Sequence, residues 1–272
     1  MERQRILVTV KTYPTLSSSH DEIVCTAGFR EDATWIRLYP VPFRKFDEYQ
    51  RYKKFQWIEV AIERNLSDPR VESHRLCSEI TLLEEMGTAN NWQARRDFVL
   101  GKGRVYTNYA EIIEKNKARE LSLATFKPTD IVDVLCDPAE REWDEAKLDA
   151  IQQRGRQTHL FDAPKEDFKV VRKLPYRFRY VIVDDAGKRR KMMIEDWEIG
   201  RLFWRQFDKK GSEREAIQDV KDKYMNALLK DCDTHLFLGT TQRWDALSPN
   251  PFLIIGVFHP PEMKQDDLFS TH

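Results

Sequence analysis

The sequence lacks the features that define several large protein classes. No stretch of its 272 residues has enough consecutive apolar residues to cross a bilayer, so we expect no membrane partner. Its first residues, MERQRILVTVKTYP, lack the apolar core and cleavage site of a signal peptide, and the expected location is the cytoplasm. The motifs of P-loop ATPases, Rossmann cofactor sites and serine hydrolases are also missing, and we expect no cofactor.

Closely spaced metal ligands are missing too. The four cysteines contain no C-x-x-C pair, and the six histidines form no H-x-x-x-H or H-E-x-x-H pattern. We therefore interpret the cysteines as ordinary thiols and predict no metal site. The spacing leaves open a site assembled from distant residues.

The charge balance excludes a protein that is basic all over. Lysine plus arginine and aspartate plus glutamate are equal at 45 each, so a nucleic-acid site has to be a local patch. Hydrophobic residues at 41% and charged residues at 33% predict a globular protein with a highly charged surface.

The pattern of elements predicts an α+β fold with two small OB-like β-barrel modules, joined by and decorated with helices. Short strands at regular intervals before Gly87 are typical of a small barrel, and extended patterns return after Phe168. The predicted parts are an OB-like module (1-86), a helical segment and linker (87-167), a second OB-like module with a helical insert (168-262) and a mobile tail (263-272).

The stretch Thr34–Arg44, TWIRLYPVPFR, combines rings with arginines. In a strand, the side chains of Ile36 and Leu38 point to one face. The Trp35 ring, the Arg37 guanidinium and the Tyr39 ring then point to the other face. Rings and cations on one face can stack bases and bind phosphates. The residues predicted to form this nucleic-acid face are Lys11, Tyr13, Trp35, Arg37, Tyr39 and Arg44, and Trp57 is a further candidate. The alternative is that Trp35 and Tyr39 cover a second core while Arg37 pairs with Glu59.

A second basic stretch is richer in charge. Lys165–Lys191 contains ten lysines and arginines against four acidic residues, a net charge of +6. Rings at Tyr176, Phe178 and Tyr180 alternate with arginines. The residues predicted to contact phosphates are Arg177, Arg179, Lys188, Arg189 and Arg190. A solvated hairpin is the alternative.

Asp196 and Glu198 are the candidates for catalysis. Closely spaced carboxylates could hold Mg²⁺ for phosphodiester cleavage, which would make the protein a metal-dependent nuclease or nucleotide-processing enzyme. Asp196 also stands where a helix needs an N-cap, and Trp197 fits a core anchor.

Two pentapeptides resemble the Q-x-x-L-F motif by which bacterial proteins dock on the DNA sliding clamp. Its glutamine binds at the pocket rim, and its Leu-Phe pair fills an apolar groove. The docking candidates are Gln157, Leu160 and Phe161 in the first copy and Gln265, Leu268 and Phe269 in the second. The first Leu-Phe pair could instead pack on the domain.

Several short motifs together resemble the dual OB-containing domain family, a bacterial family found beside restriction, repair and defence genes. The motifs are Lys11-Thr12-Tyr13-Pro14, WIRLYPVPFR, Trp57–Val60, Asp196–Glu198, Leu238–Thr240 and Ile255–Pro261. The resemblance implies two OB-like barrels and nucleic-acid or nucleotide binding, and it brings no catalytic residues.

Together these patterns favour a non-catalytic protein that binds nucleic acid, single-stranded in our interpretation, within a defence or DNA-maintenance system. The alternatives are the nuclease and an adaptor that recruits the clamp or a neighbouring defence protein.

Overall fold

The fold is α+β, as predicted. A computed structural model describes residues 3–17, 21–46, 51–158 and 170–263. Within these residues a β-barrel comes first in the chain, and two smaller sheets and most of the helices follow it. None of the helices in the described ranges is both long and apolar enough to cross a membrane.

The N-terminal part forms a closed barrel. Five of its strands pair in the order β1-β3-β4-β6-β5, and β5 pairs with β1 to close the ring. All these pairs are antiparallel except β4 with β6. The strands are β1 (Arg3–Lys11), β2 (Thr15–Ser17), β3 (Asp21–Arg30), β4 (Trp35–Val41), β5 (Gln56–Arg64), β6 (Ser73–Leu76) and β7 (Thr81–Glu85). This ring resembles the five-stranded barrel of OB folds.

Alternation along the strands fills the barrel. Ile36 and Leu38 of β4 point inward, as predicted, and pack with Ile6 and Val8 of β1. Because strand residues alternate between faces, the other side of each strand points away from this core. On β1 that outer side carries Leu7, which is fully buried against the second half of the chain.

The C-terminal part contains two sheets. One has the order β10-β11-β12, and the other has the order β14-β13-β9-β8. Its strands are β8 (Val105–Tyr106), β9 (Leu123–Phe126), β10 (Asp130–Pro138), β11 (Tyr176–Val183), β12 (Arg189–Met193), β13 (His235–Thr240) and β14 (Phe252–Phe258). A single bridge from Ile194 to Ile254 links the two sheets. The predicted second OB-like module is therefore not confirmed, and strands from the predicted helical segment belong to these sheets.

Five α-helices occur in the described residues: α1 (Ala89–Arg96), α2 (Tyr109–Lys117), α3 (Glu145–Thr158), α4 (Trp197–Lys210) and α5 (Glu213–Asp222). Side-chain caps fix three starts, because an oxygen of Asn108, Asp196 or Ser212 accepts a hydrogen bond from an otherwise unpaired N–H. Gly211 ends α4 with φ +69°, a left-handed conformation that favours glycine. Gly211 and the following cap, Ser212, thus determine the turn between α4 and α5.

An apolar interface joins the barrel to the C-terminal part. Phe29 and Trp57 from the barrel pack with Phe237 and Phe258 of β13 and β14. The rings of Phe29 and Phe237 meet edge to face, with centroids 6.1 Å apart. This buried contact fixes the two halves relative to each other.

Candidate functional site

The face of the barrel that carries Trp35 and Arg37 is internal. OB barrels bind oligonucleotides through the corresponding pair of strands, here β3 and β4. Arg37 is only 1% exposed, and its guanidinium donates to Ser122 Oγ at 2.6 Å and to the Ser122 carbonyl at 3.2 Å. The Trp35 ring lies 4.0 Å from Phe29 and 5.3 Å from Phe237, centroid to centroid. The prediction that Arg37 and Trp35 face a nucleic acid is wrong, because the C-terminal half covers them.

Tyr39 and its neighbours also have structural partners. The Arg70 guanidinium lies 5.2 Å from the centre of the Tyr39 ring and forms a buried ion pair with Asp68 at 2.6 Å. Arg44 binds Glu22, whose carboxylate is buried, at 2.7 Å. These contacts hold the loops of the barrel in place.

Lys11 lies in an aromatic environment inside the protein. Its ammonium is 4.5 Å from the centre of the Phe43 ring and donates to the Tyr52 carbonyl at 3.2 Å. Burial and the nearby charge of Lys54 lower the pKa of Lys11 to about 8. The predicted phosphate contact is not supported at this position, because the ammonium is directed into the ring cluster.

Asp196 is an N-cap and an ion-pair partner. Its carboxylate, 1% exposed, accepts from the Glu198 amide at 3.1 Å and binds Lys54 Nζ at 2.6 and 2.8 Å. Burial lowers the pKa of Lys54, but the charges of Asp196 and Glu198 outweigh it and keep that pKa above its ordinary value. Among the described residues, no group of three or more His, Cys, Asp or Glu side chains could hold a metal ion. The capping interpretation of Asp196 is confirmed.

The outer face of the sheet β10-β11-β12 carries exposed cations. Along β11 the rings of Phe178 and Tyr180 point into the core, while Arg177 and Arg179 point outward. This alternation removes the predicted stacking rings from the surface and leaves the cations on it. Arg179 is paired with Asp137, and Arg190 binds Asp184 at 2.9 Å and lies over the Tyr109 ring.

Three cations of this sheet and one of the turn between β11 and β12 are exposed and have no acidic partner in the part of the chain that the structure describes. They are Arg177, Lys188, Arg189 and Lys191. Arg189 and Lys191 lie opposite Val183 and Val181 of β11. We name these four residues the basic face.

A cavity of about 230 Å³ opens beside the basic face. It lies between the loop after β1, the segment after β10 and the end of β12. Tyr13, Trp143 and Tyr176 line the cavity, and Arg177 and Glu195 are also among its lining residues. Arg177 belongs both to the basic face and to the cavity, so the two features are continuous.

Hydrogen bonds hold the three rings of the cavity in place. Tyr13 Oη donates to the Arg172 carbonyl at 2.7 Å, and Trp143 Nε1 donates to the Val171 carbonyl at 2.8 Å. Tyr176 Oη donates to Glu213 at 2.5 Å. Because each polar atom is already bound, the apolar ring faces are what the walls offer a ligand.

Gly200 of α4 allows the Tyr13 ring to lie against the helix. A Cβ atom at this position would be 2.2 Å from the ring, far inside van der Waals contact. A side chain at Gly200 would therefore displace one wall of the cavity.

Glu195 is the unusual polar group of the cavity. Its backbone is fixed, since its carbonyl accepts from the Tyr13 amide at 2.9 Å and its amide donates to the Ile254 carbonyl at 2.8 Å. Its half-buried carboxyl has no hydrogen-bond or ion-pair partner among the described residues, and burial raises its pKa.

Sequence reasoning placed Tyr13 and Arg177 in a site but missed Trp143 and Glu195. Trp143 lies in the segment before α3, which begins at Glu145. The signal was Pro138 shortly before it, which ends β10 and makes a loop. No local sequence pattern marks Glu195 as a site residue, because it comes next to Tyr13 only in the folded chain.

The clamp-docking residues Leu160, Phe161, Gln265, Leu268 and Phe269 lie outside the described residues. Gln157 is described only through the backbone of α3. Clamp docking stays a prediction.

Family models match both parts of the chain. A domain of unknown function, DUF8758, matches residues 2–101, and a second one, DUF8757, matches residues 106–272. The second match covers more than half of the chain. The chain belongs to the DUF8757 family. The boundary between the two matches falls between α1 and α2, close to the end of the barrel.

Comparisons with individual proteins add little to the family assignment. No curated protein matches the chain. A solved structure described as a murine DNA binding protein bound with ds DNA is 10% identical, with a TM-score of 0.31 over 97% of this chain and 98% of that one. A similarity at this level shows nothing about the fold or the function of this chain.

Proposed function

We propose that the protein binds a single-stranded nucleic acid through the basic face, without catalysing a reaction on it. The observation that carries the proposal is that Arg177, Arg189 and Lys191 of one sheet and Lys188 of its β11–β12 turn are exposed and have no acidic partner in the described ranges. Cations in such a position bind phosphates and release condensed counterions.

The adjoining cavity supports a single strand as the ligand. Its walls include three aromatic rings, and a single strand can place an unstacked base against a ring. Because Arg177 borders both features, a strand lying on the basic face would bring a base to the mouth of the cavity.

The sequence context agrees with this proposal but does not extend it. The net charge of zero means that general attraction to a polyanion is weak, so binding has to come from a local surface. A role in bacterial defence or DNA maintenance rests on the resemblance to the dual OB-containing family alone.

The test is the salt dependence of binding to a labelled single strand, measured by fluorescence anisotropy. Four phosphate contacts predict that log Kd changes with log salt with a slope of about 3. The variant Arg177→Gln/Arg189→Gln/Lys191→Gln should bind more weakly and lose about 2 from that slope.

A charge-matched control removes three exposed cations elsewhere: Lys53→Gln/Arg75→Gln/Lys117→Gln. Lys53 precedes β5, Arg75 lies in β6 and Lys117 ends α2, so none belongs to the sheet that carries the basic face. This control should keep the slope of the unmodified protein. Equal losses in both variants would show nonspecific attraction and refute the proposed face.

A further inference from the structure

We propose that the cavity beside the basic face accepts one unstacked nucleobase that carries an exocyclic amine, with the Glu195 carboxylate accepting the hydrogen bond. This inference rests on the proposed function and specifies which bases the protein selects. It follows from the walls, the polar group and the charge around the opening.

The walls fit a flat ring. Tyr13, Trp143 and Tyr176 are fixed by hydrogen bonds to neighbouring backbone or side-chain groups, so they offer ring faces without having to be ordered first. A preorganised aromatic site loses little entropy on binding, and each stacked base contributes substantially to affinity. The remaining surface includes the apolar side chains of Ile194 and Ile199.

The Glu195 carboxylate favours a ligand that donates a hydrogen bond. A carboxylate that is partly removed from water without a partner is destabilised, and the half-buried Glu195 has no partner within the described chain. Cytosine N4, adenine N6 and guanine N2 are amines that a carboxylate can accept from. Uracil and thymine present a carbonyl oxygen where cytosine has its amine, and two acceptors facing each other repel.

The charge around the opening argues against a cationic ligand. An aromatic cavity with a carboxylate could also hold a quaternary ammonium group. Here Arg177 lines the cavity, and the other three residues of the basic face lie on the same sheet or in its β11–β12 turn, so a cation would approach against repulsion. A neutral base attached to a phosphate is attracted by the same groups.

The first experiment uses nucleosides, which contain no phosphate and do not depend on the basic face. Cytidine and uridine are titrated into the full chain, and the indole N–H signal of Trp143 is followed by NMR, assigned with Trp143→Phe. Cytidine should shift the signal and bind about tenfold more tightly than uridine. Glu195→Gln should bring the two affinities together, because an amide can either accept or donate.

Glu145→Gln is the matched control. Glu145 begins α3 two residues after Trp143, is exposed and does not line the cavity. This variant should keep the preference for cytidine. Urea unfolding of both variants establishes that each is folded, and a Glu195→Gln protein with native stability and no preference supports the inference.

The second experiment compares oligo-dC with oligo-dT by anisotropy. The unmodified protein should prefer oligo-dC, Glu195→Gln should lose the preference, and the basic-face variant should bind both more weakly while keeping it. Equal binding of the two strands together with the predicted salt slope would overturn the base inference and leave the proposed function standing. Binding of choline in place of both nucleosides would also overturn it and identify a site for cations.

Discussion

Replacing Arg37 by alanine should destabilise the protein and leave strand binding unchanged. Two hydrogen bonds from its charged guanidinium end on Ser122 at 2.6 and 3.2 Å, and such bonds contribute about 1.5–3 kcal/mol each. Relief of the buried charge offsets part of that loss, because desolvating a guanidinium is costly. We expect the free energy of unfolding to fall by about 3 kcal/mol.

Urea unfolding followed by tryptophan fluorescence measures this loss. The control Arg177→Ala, on the exposed face, should change the free energy of unfolding by less than about 0.5 kcal/mol. At a urea concentration where the Arg37→Ala protein is still folded, its affinity for a single strand should equal that of the unmodified protein. Native stability combined with lost binding would refute the structural role assigned to Arg37.

Three further changes test other parts of the structure. Gly200→Ala should abolish cytidine binding at the Trp143 indole signal and lower stability by about 1–3 kcal/mol, because its Cβ would overlap the Tyr13 ring; unchanged cytidine binding would contradict the proposed cavity. Lys54→Ala should lower the free energy of unfolding in urea by about 3–5 kcal/mol, because it leaves the Asp196 carboxylate buried and unpaired. Adding Asp196→Asn should restore part of that free energy, and no restoration would contradict the ion pair. The pKa of Lys11, about 8 when folded and near 10.5 when unfolded, means that the unfolded chain binds more protons between these values, so stability should rise from pH 8 to 9.5. Lys11→Met should remove that rise in urea unfolding, and an identical rise in the variant would contradict the assignment.

The sequence predicted the barrel because local pattern determines it. Alternation in β4 directs Ile36 and Leu38 inward, and the same rule applies to the strands around them. The cap at Asp196 follows from local chemistry in the same way.

What covers the other face of β4 is not a local property. A surface that binds bases and a surface that packs on another domain both carry rings and arginines. Which of the two β4 forms depends on whether Phe237 and Ser122, which are distant in sequence, pack against this face in the fold. The alternative interpretation was right that Trp35 covers a second core, but it named the wrong partner for Arg37. Glu59 binds Arg3 instead, at 2.8 Å.

An irregularity also escaped prediction on β1. Strict alternation places Val10 with Ile6 and Val8, but the register shifts between Val8 and Val10 where β1 pairs with β3. Val10 consequently packs in the cluster between the two halves, with Leu7. A bulge of this kind reverses the faces of the residues that follow it.

The predicted alternation of rings and arginines along β11 is present, but it does not produce a surface on which bases could stack. Rings and arginines that alternate along a strand lie on opposite faces, so they cannot form one stacking surface. Phe178 and Tyr180 are buried in the core, and Arg177 is exposed to solvent.

Crosslinking is the most direct test of where a nucleic acid lies on this protein. A single strand containing 4-thiouracil is bound, irradiated and digested, and the attached peptides are identified by mass spectrometry. The account predicts crosslinks in β11 and in β12, whose cations contact the phosphates, and not around Trp143, because 4-thiouracil lacks the exocyclic amine that the cavity selects. Crosslinks concentrated on the barrel strands β5 to β7, with none on the sheet β10-β11-β12, would contradict it.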